Sequence, residues 1–257
     1  MTSINLTTKI NLTSLAIDLE QSLLSPAYVI VLRTEIVLLF TILLLIFELI
    51  RQFLKRRIAI HINLLLLFVS IVVLYFIHSA TQFATTLRYF VILLYYKDPH
   101  ELLAPLWLVS LLVGSFYIQV LCYPALHFCV MLERLRATLF LNRYENEGRK
   151  LAIIMITITW ATSIGFMTFI ILEAYADPSM EILGALYLTT KSTSEILIYV
   201  NIFTTIIVII TAFSDWRITI MNRRIQESRS VEEYFRKFFF NEKYFSFKNK
   251  YHSVLDI

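Results

Sequence analysis

The sequence predicts an all-α, polytopic membrane helix bundle with five transmembrane helices, and three observations lead there. The 257 residues are 58% hydrophobic and 16% charged, with a mean hydropathy of +0.70. A water-soluble globule has roughly 45–50% apolar and about 25% charged residues. Five stretches approach or exceed the ~20 apolar residues needed to cross a hydrocarbon core about 30 Å thick: Ala27–Ile50, Ile58–Phe76, Leu102–Leu132, Leu151–Leu172 and Ile196–Phe213. The gaps between them alternate between poor and rich in Lys and Arg. The chain therefore divides into an N-terminal segment, 1–26, a transmembrane bundle, 27–213, and a basic, aromatic-rich tail, 214–257. A separate soluble domain has nowhere to go.

The charge pattern predicts the orientation. Of 23 Lys and Arg residues, 18 fall in the first connection, the third connection and the tail, and five fall on the other side (Lys9, Arg33, Arg88, Lys97 and Lys191). Loops rich in Lys and Arg stay in the cytoplasm, which places the N-terminus outside the cell and the tail inside, with the plasma membrane as the expected location. The net charge of +4 then suits the lipid bilayer, whose anionic inner leaflet attracts basic residues by ~1 kcal/mol each; no nucleic-acid partner is expected. The first 26 residues lack the basic start and apolar core of a cleavable signal. They carry two glycosylation sequons, at Asn5 and Asn11, on the side expected to be extracellular.

The first span has Arg33 and Glu35 near its N-terminal end and Glu48 near the other, where Glu48 and Arg51 share a face three residues apart. The second carries His61 and Asn63 in its opening turns; polar groups in lipid need partners, so both are expected to face neighbouring helices. From Ile77 to Glu101 the pattern is irregular, and Tyr89–Tyr96 is apolar but too short to span, either continuing the second helix or lying at the interface. Pro105 suits the first turn of the third helix.

The third span holds Gly114, Ser115, Gln119, His127 and an internal Pro124, which removes one backbone hydrogen bond. Tyr117, Gln119 and Tyr123 are candidate lining for a ligand cavity if this helix is central; the plain alternative is that Gln119 bonds a neighbouring helix. Cys122 and Cys129 are seven residues apart, about 10 Å along a helix and too far for a bond with each other. The fourth span contains Trp160 with scattered Ser and Thr. Asn201, Thr204 and Thr205 give the fifth a polar face, and helical spacing persists through Ser214–Phe238, as an amphipathic rod or a segment along the inner leaflet.

No enzyme chemistry is expected. Four glycines leave no phosphate-cradling loop, the five histidines are scattered without carboxylates at ligand spacing, and no nucleophile elbow occurs. Neither a metal site nor a cofactor is predicted.

One segment is more specific. At the end of the third span stand Glu133-Arg134-x-x-Ala137-Thr138 and, five residues on, Tyr144-Glu145; the second span opens with His61-Ile62-Asn63-Leu64. This combination resembles the nematode serpentine chemoreceptors, most closely class e, the Sre family, from roughly Tyr28 through the fifth helix. Glu242–Ile257 looks like a degraded form of the motif that introduces that family's sixth helix. The resemblance implies a seven-helix, G-protein-coupled receptor of chemosensory neurons that detects a small-molecule ligand and signals through a heterotrimeric G protein. It implies that the five spans are the first five of the seven, and that Glu133 and Arg134 form the coupling switch, the acid holding the arginine at rest. No sixth apolar run follows in these 257 residues, so the expectation is a receptor cut after its fifth helix that does not couple normally. The competing expectation is a membrane adaptor or partner subunit without ligand-driven signalling.

Overall fold

The computed structural model describes residues 13–14, 16–55, 61–140, 148–177, 182–183 and 188–252. Asn5, Asn11, Tyr144 and Glu145 lie outside them. Five long helices dominate: α1 (Pro26–Lys55), α2 (Ile62–Tyr95), α3 (Leu106–Leu139), α4 (Lys150–Ala176) and α5 (Lys191–His252). All five contain a stretch long and apolar enough to cross a membrane, and the chain is an integral membrane helix bundle.

The ends of these helices depart from the hydropathy limits for identifiable reasons. Ser25 caps α1, its Oγ accepting the Tyr28 N–H at 3.3 Å, and Pro26 takes the first helical position, where a missing N–H costs nothing. Hydropathy ends the second span at Phe76, yet α2 continues to Tyr95. Its polar stretch stays helical because the hydroxyls return hydrogen bonds to their own helix: Thr81 to the Ile77 carbonyl, Thr85 to that of Thr81 and Thr86 to that of Gln82. Tyr89–Tyr95 is thus a continuation of the second helix.

The third helix begins at Leu106 and not at Leu102. The residues before it are used otherwise: Pro99–Leu102 form a 3₁₀ turn capped by Asp98, and β1 (Ala104–Pro105) pairs antiparallel with β2 (Ile182–Leu183). Pro105 accordingly sits at the cap of α3 and not inside its first turn. Helix α5 runs without a break past Phe213 to His252.

Helix α3 is the centre of the bundle, packing against α2, α4 and α5, whereas α1 leans chiefly on α2. The burial follows: 44% of the most apolar stretch of α3 is buried, against 11% in α1 and in α5. Two apolar clusters run along α3. One joins Leu67, Ile71 and Leu74 of α2 to Cys122, Leu126 and Val130. The other joins Val109 and Tyr117 to Ile170 and Ala174 of α4. Both cysteines are buried, unbridged thiols. Polar ties cross the helices where lipid would leave them unpaired: the Trp160 indole N–H donates to Ser70 Oγ at 2.8 Å, linking α4 to α2, and Thr81 and Ser115 share a hydrogen bond between α2 and α3.

A short helix over residues 16–24 covers the start of α1 and the end of α2, burying Leu23 with Leu32, Tyr89 and Leu102. Tyr96 Oη donates to Glu20 at 2.8 Å, a bond that raises the Tyr96 phenol above its ordinary pKa.

Gly114 sets the approach of α3 to α4. A Cβ there would stand 3.2 Å from Met167 Sδ and 3.7 Å from Ile171 Cδ1. Gly114→Ala is expected to be nearly neutral, since the flexible methionine can give way. Gly114→Leu is expected to wedge the two helices apart at a cost of about 1–3 kcal/mol, read as a lower unfolding midpoint in detergent.

Candidate functional site at the basic end of the bundle

The ends of α1 and α3, the starts of α2 and α4, and the middle of α5 meet at one end of the bundle, where most of the basic residues gather. Two polar arrangements are built there on α3, one turned toward α2 and the other toward α5.

The first is buried. Glu133 is 2% exposed, and neither carboxylate oxygen has a hydrogen-bond partner among the described residues. His61 Nδ1 stands 4.0 Å from Glu133 Oε1, beyond hydrogen-bonding reach, and accepts the Asn63 N–H at 3.4 Å as it caps α2. Asn63 is fully buried and its side-chain amide is likewise unpaired among the described residues. Uncompensated polar groups in an apolar interior are costly.

The second is an ion pair. Arg134 Nη1 donates to Asp215 Oδ1 of α5 at 2.8 Å, with the two side chains 39% and 34% exposed. One turn further along α3, Thr138 Oγ1 donates to Asn222 Oδ1 at 3.0 Å. Helices α3 and α5 run in the same direction and are latched at two levels.

The sequence expectation that Glu133 holds Arg134 is therefore corrected. Adjacent residues on a helix point about 100° apart, so the acid turns into the bundle while the arginine reaches α5. The missed residue is Asp215. Its signal was a carboxylate placed two residues after the last apolar residue of the fifth run, on the face opposite Arg217.

The three candidate cavity residues do not converge. Tyr117 is buried; its phenol lies 3.1 Å from Thr189 Oγ1 and accepts the Leu188 N–H at 3.4 Å, anchoring the chain that enters α5. Thr190 and Thr193 then cap that helix reciprocally. Gln119 and Tyr123 lie on another face of α3, where Tyr123 meets Tyr75 edge-on at 5.5 Å and His127 at 4.3 Å. Glu48 accepts two hydrogen bonds from Arg51, at 2.6 and 2.8 Å. Among the described residues no group of three or more His, Cys, Asp or Glu is placed to hold a metal ion.

Comparison with protein-family models, with curated proteins and with solved structures finds no match to this chain. Any functional reading rests on the residues themselves.

Beside the Arg134–Asp215 pair, a groove of about 440 Å³ opens between Leu135 of α3 and the α5 face that carries Phe213, Arg217, Met221 and Arg224. The basic end thus combines a buried acid with no hydrogen-bond partner among the described residues, a cross-helix ion pair and an adjoining amphipathic groove.

Proposed function

We propose that the chain is a chemosensory, G-protein-coupled receptor-like protein of the plasma membrane, with its N-terminus outside and its basic end in the cytoplasm. The observation that carries this reading is the Arg134–Asp215 ion pair, which ties the central helix to α5 beside a groove. An arginine held by a partly exposed carboxylate on a neighbouring helix can be released by a small displacement, because such a pair has modest strength. Once free, the guanidinium can donate several hydrogen bonds to a partner's carbonyls or carboxylates. The resting latch in this reading is Arg134 with Asp215, and the buried Glu133 biases the end of α3 toward a second arrangement. The orientation is supported by the 18-to-five division of Lys and Arg, and the detected ligand is a small molecule.

The test is G-protein binding by the full chain in nanodiscs, measured against a panel of purified heterotrimers. Asp215→Asn, which frees the arginine with little change of shape, is expected to tighten binding several-fold. Arg134→Ala is expected to abolish it. Equal binding by all three proteins would count against the receptor reading.

A second reading, a membrane adaptor or partner subunit, draws on α5. This helix continues from Phe213 to His252, about 58 Å at 1.5 Å per residue. A rod of that length could engage another protein without any ligand-driven change, and it would be indifferent to the state of Asp215.

A further inference from the structure

At the other end of the bundle, far from the Arg134–Asp215 latch, a cavity of about 280 Å³ lies between α1, α2 and the short helix over residues 16–24. Tyr28 and Glu35 of α1 line it from one side, Gln82, Thr85 and Tyr89 of α2 from the other, and Leu23 closes it from the short helix. The geometry follows from helical repeat. Tyr28 and Glu35 are seven residues apart, as are Gln82 and Tyr89, so each pair stacks on one face over two turns.

The polar groups of this cavity are not used up by the fold. Glu35 takes part in no hydrogen bond or ion pair among the described residues, and the Gln82 side chain also has none. Of the two nearby cations, one is held against the cavity wall and the other lies away from it. Arg88 donates to the Leu103 carbonyl at 3.3 Å and lies 5.3 Å over the Tyr89 ring, while Arg33 projects from the opposite side of α1, two residues and about 200° from Glu35. A carboxylate within an apolar helix is expensive, and such residues are kept facing partners or water-filled cavities. Here it faces a small space walled by two phenols, an amide and three hydroxyls.

We propose that this cavity binds a small organic ammonium ion, with Glu35 as the counter-charge and the Tyr28 ring flanking the cation. A carboxylate excludes anionic ligands from the same space. Aromatic faces attract a desolvated cation through their quadrupole, and Gln82 and Thr85 supply acceptors for further N–H groups. The volume is at the small end for ligand pockets, which restricts the occupant to a molecule about the size of a single ring with a short tail. The site does not depend on the latch or on any G protein, so its failure and that of the receptor reading are separable.

The experiment uses the full chain in nanodiscs of phosphatidylglycerol alone, which contains no ammonium lipid, with phenethylamine as probe and 2-phenylethanol as its neutral counterpart. Phenethylamine is expected to raise the unfolding midpoint saturably, and the alcohol to act at least tenfold more weakly. Glu35→Gln is expected to weaken the amine at least tenfold and leave the alcohol unchanged. Leu23→Trp, which fills the cavity, is expected to remove the response to both. A Glu35-dependent rise on adding phosphatidylethanolamine in place of the free amine would support the ammonium site and assign its source to a lipid headgroup. Equal action of amine and alcohol on the unmutated chain, or an amine response untouched by Glu35→Gln, would overturn the proposal; the first comparison requires no variant to fold.

Discussion

Asp215→Arg is expected to lower the stability of the bundle by about 2–3 kcal/mol, and Arg134→Asp introduced in the same chain to restore most of that loss. The sign follows from the 2.8 Å contact between Arg134 and Asp215. Placing a second guanidinium against the first turns an attraction into a repulsion, each on the order of 4 kcal/mol at an effective dielectric constant near 20 and about 4 Å. Both side chains are roughly a third exposed, so solvent and salt screen most of that difference. The Thr138–Asn222 hydrogen bond one turn away keeps α3 and α5 together while the charges repel. The measurement is the unfolding midpoint of the two single variants and the swapped pair. If the swap recovered nothing, the interaction holding α3 to α5 would lie elsewhere, since a double-mutant cycle isolates the coupling of its two positions.

The same pair shows how far sequence reasoning reaches. Five spans were legible because crossing a bilayer demands long apolar runs, and that demand is written in composition alone. The extent of α2 was not. His78, Ser79, Thr81, Gln82, Thr85 and Thr86 break the hydropathy signal, yet Ser79 and Thr86 are buried and Thr81, Thr85 and Thr86 bond back to their own helix. Polarity there marks packing against neighbours, which a scale of transfer energies cannot distinguish from a loop. At the basic end, the Glu133-Arg134 pair could be picked out by its spacing to Ala137 and Thr138. Its wiring could not, because Asp215 is 81 residues away and nothing local announces the contact. A similar limit applies to Tyr117 and Tyr123. Both are tyrosines on the central helix, but 120° of helical rotation sends one to the segment before α5 and the other to α2. The cavity beside Glu35 was invisible for a further reason: its lid, the helix over residues 16–24, belongs to the part of the sequence that hydropathy assigns to the exterior.

Glu133→Leu is expected to stabilise the chain by about 1–3 kcal/mol, the opposite of what removing a charged residue from a motif would ordinarily suggest. Glu133 is 2% exposed, with both carboxylate oxygens unbonded among the described residues. A polar group in that condition costs roughly 1–3 kcal/mol relative to an apolar one of similar volume, and the leucine recovers that cost while filling nearly the same space. Glu133→Gln retains two polar atoms to satisfy and should gain less. Natural chains keep such a group where function requires it and accept lower stability in return. A stabilised Glu133→Leu protein that no longer responds to Asp215→Asn in G-protein binding would therefore identify the buried acid as the element that lets the end of α3 move. A destabilised Glu133→Leu protein would mean instead that the carboxylate is held by a basic neighbour, for which His61 stands nearest at 4.0 Å. The residue would then be a structural anchor, and the switch would have to be sought in Arg134 and Asp215 alone.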